Sequence, residues 1–365
     1  MKFLKSKSHV LGIFLLFLSF FVIAIVFACK RNFSEEVVNS ENENIDKFYD
    51  LKKVGEIKEW IPENENDPHL FWQIDSIYFD DENNFYVSDS GWNRIFKFTS
   101  HGEYIRSIGS EGQGPGEFLA DPGLFPLLIS FGNDGNLYVN DVKNRKISIF
   151  TPNGKFIKQF FLPYILYDSP QVNSNGEIYL ISKRGDKIID LYDKDLNIKS
   201  NFLSIKKHLD FSFFKYKQEQ GGRTLNHIND MMLQKIITKK NRLVVFSNIS
   251  LTAFYFDKKN KIEKSILINA KSFIDDFRPR LKKAINAGGF VAPFRMTLDS
   301  NGNLCLLYFN RSIMKWIIYR YSMMDGAILD ILKIPEEIQS IFCFDNRGYI
   351  YAVNINGTSI GIYKI

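Results

Sequence analysis

One phrase, written six times, limits this chain more than anything else in it. The stretch NNFYVSDSGWNRIFKFTSHGEYIRSIG from Asn83 returns almost without gaps as NDGNLYVNDVKNRKISIFTPNGKFIKQF from Asn133. Each copy reads as a turn, an alternating strand, a polar turn, a second strand ending in Phe, a turn centred on Gly, and a third strand. The same grammar recurs from Ser174, Lys240, Ser300 and Asn346. Aligned on Tyr86, Tyr138, Tyr179, Val244, Cys305 and Tyr351, the units stand 52, 41, 65, 61 and 46 residues apart. A period near 40 to 50 residues with several short strands in each is the signature of propeller blades, none of which can bury its faces alone.

A short strand precedes each marker, as in SIYFD from Ser76 and SIFCFD from Ser340, so a full blade has four strands. Apolar residues at every second place, such as Phe85 with Val87 and Ile95 with the ring at Phe98 nearby, and an aromatic share of 15% both suit pleated sheets. The last unit stops at Ile365 on its third strand. Its missing strand is expected from LKKVGEIKEWI, Leu51 to Ile61, pairing beside Ser359 to Ile365 and removing the open edge. The expected fold is all-β: a six-bladed β-propeller of four-stranded antiparallel blades over residues 47–365, closed by an N-terminal strand in the last blade.

The N-terminus carries Lys2, Lys5 and Lys7, followed by an uncharged run from Val10 to Ala28, which reads as an export signal over residues 1–28. The run ends in VFAC and resembles a bacterial lipobox, which implies that Cys29 becomes a lipidated first residue. The same nineteen residues would alternatively serve as an uncleaved anchor. Both readings put the body outside the cytoplasm and tie it to a membrane. Residues 29–46, polar and acidic, read as a flexible tether. Of the formal net charge of +6, three units come from those first lysines, so the body is too weakly basic to argue for a nucleic-acid partner. Beyond Cys29 only Cys305 and Cys343 remain, both at strand positions among apolar residues, where they read as small buried hydrophobes.

Several motifs fail on context. SIGSEGQGPGEF, Ser107 to Phe118, has glycines for a phosphate cradle but no helix behind it, because Pro122 and Pro126 follow. GTSIG, Gly357 to Gly361, matches a nucleophile elbow, yet only YKI remains for the helix that Ser359 would need. Asp193, Asp195 and Asn197 mimic the start of a calcium loop without its Gly or its closing Glu, and read as a turn. His69, His101, His208 and His227 show no zinc spacing.

Asn83 to Phe118, with YVSDSGWNRIFKF, a Gly-centred turn and IGSEGQGPGEF, resembles the NHL repeat. The chain as a whole resembles NHL-like six-bladed propeller lipoproteins of Bacteroidetes-type envelopes, which implies a fold and a location. It also implies that SIGSEGQGPGEF is the exit of the fourth strand and the crossing to the next blade. Asp89 and Arg94, at the NHL-like Asp and Arg positions, are expected to pair across their hairpin.

The two long spacings come from insertions, Leu203 to Met232 and Asn269 to Phe294. They mix rings with cations: Phe213, Phe214, Tyr216, Arg223, Arg278 and Arg280, with Arg295 at the end of the second. That mixture suits an aromatic-lined ligand mouth or the packing of the insertions on their blades. The expected role is a binding or scaffold module at the cell envelope, without a cofactor and monomeric, taking an envelope protein or a small-molecule or glycan ligand. The alternative is a metal-dependent lactonase or lyase. The gluconolactonase-like enzymes hold a metal on the ring axis, and Asp75, Asn226, Asn229 and Asp230 would be its ligands here.

Overall fold

The computed structural model describes residues 36–39, 48–62, 67–181, 187–204, 233–237, 241–247, 252–267, 279, 295–310 and 313–365. Three strands come first: β1 (Glu36–Asn39), β2 (Phe48–Asp50) and β3 (Lys52–Ile57). Blade one is β4 (Ile74–Phe79), β5 (Phe85–Asp89), β6 (Arg94–Phe98) and β7 (Tyr104–Ile108). Blade two is β8 (Leu127–Phe131), β9 (Leu137–Asp141), β10 (Lys146–Phe150) and β11 (Phe156–Phe161). Blade three is β12 (Gln171–Val172), β13 (Ile178–Ile181), β14 (Lys187–Tyr192) and β15 (Ile198–Ser204). Blade four is β16 (Leu233–Ile237), β17 (Leu243–Ser247), β18 (Thr252–Phe256) and β19 (Ile262–Leu267). Blade five is β20 (Arg295–Leu298), β21 (Leu304–Asn310), β22 (Lys315–Tyr321) and β23 (Ile328–Lys333), with β2 parallel to β23 at its outer edge. Blade six is β24 (Ile338–Phe344), β25 (Ile350–Asn354) and β26 (Ile360–Lys364), completed by β3. The first strands of successive blades touch in order, and β24 touches β4, so the protein is a closed six-bladed β-propeller.

The expected closure is present: β3 pairs antiparallel with β26, Ile57 opposite Ile360 and Glu56 opposite Gly361. Inner and middle strands such as β5, β9, β10 and β17 are buried at every residue, because neighbouring blades cover both faces of each sheet. Outer strands such as β7 and β11 stay partly exposed.

One turn type joins first to second and third to fourth strands. Its first residue accepts the backbone N–H groups two and four places on, at 2.9 and 2.8 Å for Asp299 and at 2.9 Å for both in Asp193. The residue three places on adopts a left-handed φ, 79° at Gly302 and 71° at Leu196. Asp193 and its neighbours are thus a turn, as the missing calcium ligands required. The geometry is a tight turn closed by a bulge, which fits the twist of the flanking strands.

One marker tyrosine, Tyr86, ties its blade to the next. At this end of the ring, a donor from one blade reaches the second residue of the next blade's outer turn. Tyr86 Oη lies 2.9 Å from Pro152 O, and Lys97 Nζ reaches the same oxygen at 3.2 Å. Lys158 Nζ donates to Lys194 O at 2.6 Å, Lys264 Nζ to Met323 O at 2.6 Å and Arg347 Nη2 to Ser100 O at 2.9 Å. Tyr86→Phe is expected to lower stability by about 1 kcal/mol in urea denaturation; an unchanged midpoint would mean that the phenol does not tie blade one to blade two.

Candidate functional site

At the opposite end of the strands lie the second-to-third turns and the crossings between blades. Here charged side chains grip backbone. Asp141, buried at the end of β9, accepts Leu119 N at 3.0 Å and Asn144 N at 3.1 Å. Lys146, fully buried at the start of β10, donates to Gln113 O and Gly114 O at 3.1 and 2.9 Å, and burial lowers its pKa. Asn144 Nδ2 adds Gly112 O at 3.3 Å. The glycine-rich stretch is therefore the crossing from β7 to β8, held by the turn of the blade it enters. Gly109 has φ 85°, and a Cβ there would stand 2.1 Å from the Phe118 ring, so this position requires glycine.

Blade one repeats the device with a different outcome from the one expected. Asp89 and Arg94 are register partners on β5 and β6, but they do not pair. Asp89 is buried and accepts four backbone N–H groups: Trp72 at 2.8 Å, Gln73 at 3.0 Å, Gly91 at 2.9 Å and Trp92 at 3.2 Å. Burial raises its pKa although those four donors oppose the rise. Arg94 turns instead to Asp67 and to Ser107 Oγ, both at 3.3 Å. The carboxylate holds the crossing from β3 into β4, with three of its four backbone donors on Oδ1 and Trp72 N on Oδ2.

Asp75, the second residue of β4, spans two blades: Ser90 Oγ donates to it at 3.1 Å and Leu127 N, at the start of β8, at 3.0 Å. Burial, with the nearby Asp89 adding to it, pushes its pKa up to about 7. Asn226, Asn229 and Asp230 lie outside the described residues, and among the described residues no group of three or more His, Cys, Asp or Glu could hold a metal ion. Arg295 begins β20 at this same end and is exposed. Phe213, Phe214, Tyr216, Arg223, Arg278 and Arg280, like Cys29, His208 and His227, lie outside the described residues. Their two segments link β15 to β16 and β19 to β20, so the chain leaves and rejoins the ring at the crossing end. His69 and His101 are exposed. Ser359 is buried and donates to Glu56 Oε1 of β3 at 2.7 Å, as part of the closure. Cys305 and Cys343 are free, buried thiols in different blades, and burial raises the pKa of each.

The residues around the crossing into β4 carry no repeat signal in the sequence. Trp72 is 56% exposed and stands edge to face with Trp92, ring centres 5.5 Å apart. Beside it Gln73 and Gln339, half-buried, flank Gly357. The only signal was FWQ ahead of a strand, where no periodicity marks a side chain as displayed.

A family model described as a 6-bladed beta-propeller matches residues 28–125. No curated protein matches the sequence. Among solved structures, the chain is similar to a Bacteroides fragilis protein assigned as exported, at 13% identity and a TM-score of 0.56, over 90% of this chain and 98% of that one. It is also similar to virginiamycin B lyase from Staphylococcus aureus, at 12% identity and a TM-score of 0.46, over 90% and 97% of the two chains. A third similar structure, from Bacteroides caccae, has 11% identity and a TM-score of 0.43, over 75% and 84%. Likenesses this remote concern the fold.

The carboxyl of Asp75 generates a pH dependence. Folded, it keeps its proton to about pH 7; its ordinary value is 3.8. Between those values the folded state binds the extra proton, so stability falls as pH rises through the window, by an amount on the order of a few kcal/mol. Urea midpoints measured from pH 4.5 to about 7.5 are expected to decline, and Asp75→Asn to flatten that decline; an equal slope in both proteins would contradict the assignment.

Proposed function

We propose that the protein is an exported, membrane-anchored binding module of the cell envelope that meets its partner with the crossing end of the ring. The observation that carries this reading is the distribution of exposed apolar side chains. Trp72, Leu124 at 67%, Met314 at 70% and Ile355 at 52% lie on second-to-third turns or crossings, Phe48 at 52% and Phe161 at 66% on outer strands, and Met324 at 86% on the opposite turns. The crossing end thus displays several apolar side chains at successive blade boundaries, which supports its use as a contact surface. The charged groups described there point the same way. Asp89, Asp141 and Lys146 hold backbone and Asp75 ties two blades, so none of them is placed to attack or polarise a substrate. The lactonase or lyase reading draws only on Asp75 among the described residues, and both its oxygens already accept hydrogen bonds.

Export and anchoring rest on the lysine-led apolar run and on Cys29. The insertions that carry Arg223 and Arg280 rejoin the ring at the proposed contact end, which brings them into the reading. Cys29→Ser is expected to shift the protein from the membrane to the soluble fraction and abolish fatty-acid labelling. In capture from envelope lysate, the native chain is expected to retain a partner that Arg223→Ala with Arg280→Ala retains less well. Unchanged fractionation would replace the lipid on Cys29 with the uncleaved apolar run as the anchor, and unchanged capture would remove those arginines.

A further inference from the structure

We infer that the boundary between blades six and one carries a site for a neutral carbohydrate ring, formed by Trp72, Gln73 and Gln339; the inference rests on the binding reading above and names its ligand class. Trp72 is a displayed ring packed on backbone. Its backbone N–H donates to Asp89 and its indole lies on Gly91, where a Cβ would stand 2.4 Å from Trp72 Cγ. Gly91 has no left-handed φ, so its backbone would accept alanine, and the indole is what excludes a side chain. Trp92 braces the edge of the ring and is itself fixed by Nε1 donating to Leu70 O at 2.9 Å. A ring held this way loses little conformational freedom when a ligand covers it.

The next residue, one Cα step of about 3.8 Å away, brings the polar half of the site. A Cβ added to Gly357 would lie 2.8 Å from Nε2 of both Gln73 and Gln339, so two amides from neighbouring blades converge over the bare Cα of this turn. Each is loosely engaged within the protein, Gln73 to Ile74 O at 3.5 Å and Gln339 to Ile355 O at 3.3 Å. Amides both donate and accept, which suits hydroxyl groups.

Charge decides the ligand class. Asp89 is taken up by four N–H donors and Arg94 is turned to Asp67, so among the described residues the centre of the site is neutral. Among those residues an ionic ligand finds no free counter-charge there, and a wholly apolar one would strip water from two amides without replacing it. A pyranose has an apolar C–H face for the indole and equatorial hydroxyls for the amides.

The test titrates the full chain, kept soluble in a detergent without a sugar headgroup, with cellohexaose, maltoheptaose, xylohexaose and chitopentaose, reading tryptophan fluorescence and calorimetric heat. The expected result is saturable binding of at least one, weakened about tenfold or more in Trp72→Ala, in Gly91→Ala and in Gln73→Ala with Gln339→Ala, at unchanged urea midpoints. Trp72→Phe, which keeps a smaller ring, is expected to fall between. No response to any of the four, or binding that the variants leave unchanged, overturns the inference. If the sugars fail while a protein crosslinks to this face in the native chain and not in Gly91→Ala, the carbohydrate assignment falls and the binding reading stands; if neither binds, both fall.

Discussion

The antiparallel pairing of Lys52–Ile57 with Ile360–Lys364 is the contact on which the ring depends. Without it blade six presents an open edge, a hazard for any sheet protein, and blade one loses the packing of Ile57 and Trp60. Apolar burial is the main term. Leu51, Ile57 and Trp60 are buried, the last two among Phe71, Phe96, Phe98 and Ile360, and burying a large apolar side chain contributes about 2 kcal/mol. The Lys53–Glu336 ion pair at 3.0 Å is partly exposed and adds at most about 1 kcal/mol. Joining chain ends this far apart is affordable because closure entropy grows only as the logarithm of loop length.

Closure also explains how charge is used. A ring of blades leaves a crossing at every boundary, and a crossing carries backbone groups that no sheet satisfies. Asp89 and Asp141 answer that need from equivalent turns, each holding the chain that enters its own blade, while Lys146 accounts for two carbonyls. Removing an acceptor of this kind would orphan several buried donors at once, which makes these acids more deeply structural than a surface ion pair.

What was legible in the sequence was local or periodic. The turns at Asp193 and Ser300 to Gly302 announce themselves within five residues, and the strand alternation of Leu51 to Ile61 identified the closing strand because only one blade lacked a member. The expected Asp89–Arg94 pairing fails for a physical reason: the pattern identifies cross-strand neighbours, but two of the four donors that fill Asp89 arrive from a crossing outside the repeat. Gln73 and Gln339 lie far apart along the chain, and their meeting over Gly357 exists only once blade six is set beside blade one. The rings and arginines of the two insertions lie outside the described residues.

Hydrogen exchange with mass spectrometry on the full chain tests the closure most directly. The account predicts that the amides of residues 52–57 exchange only with global unfolding, in step with those of residues 360–364, since the two strands form one sheet. Fast exchange of residues 52–57 while blade one stays protected would show that the N-terminal strand does not close the ring.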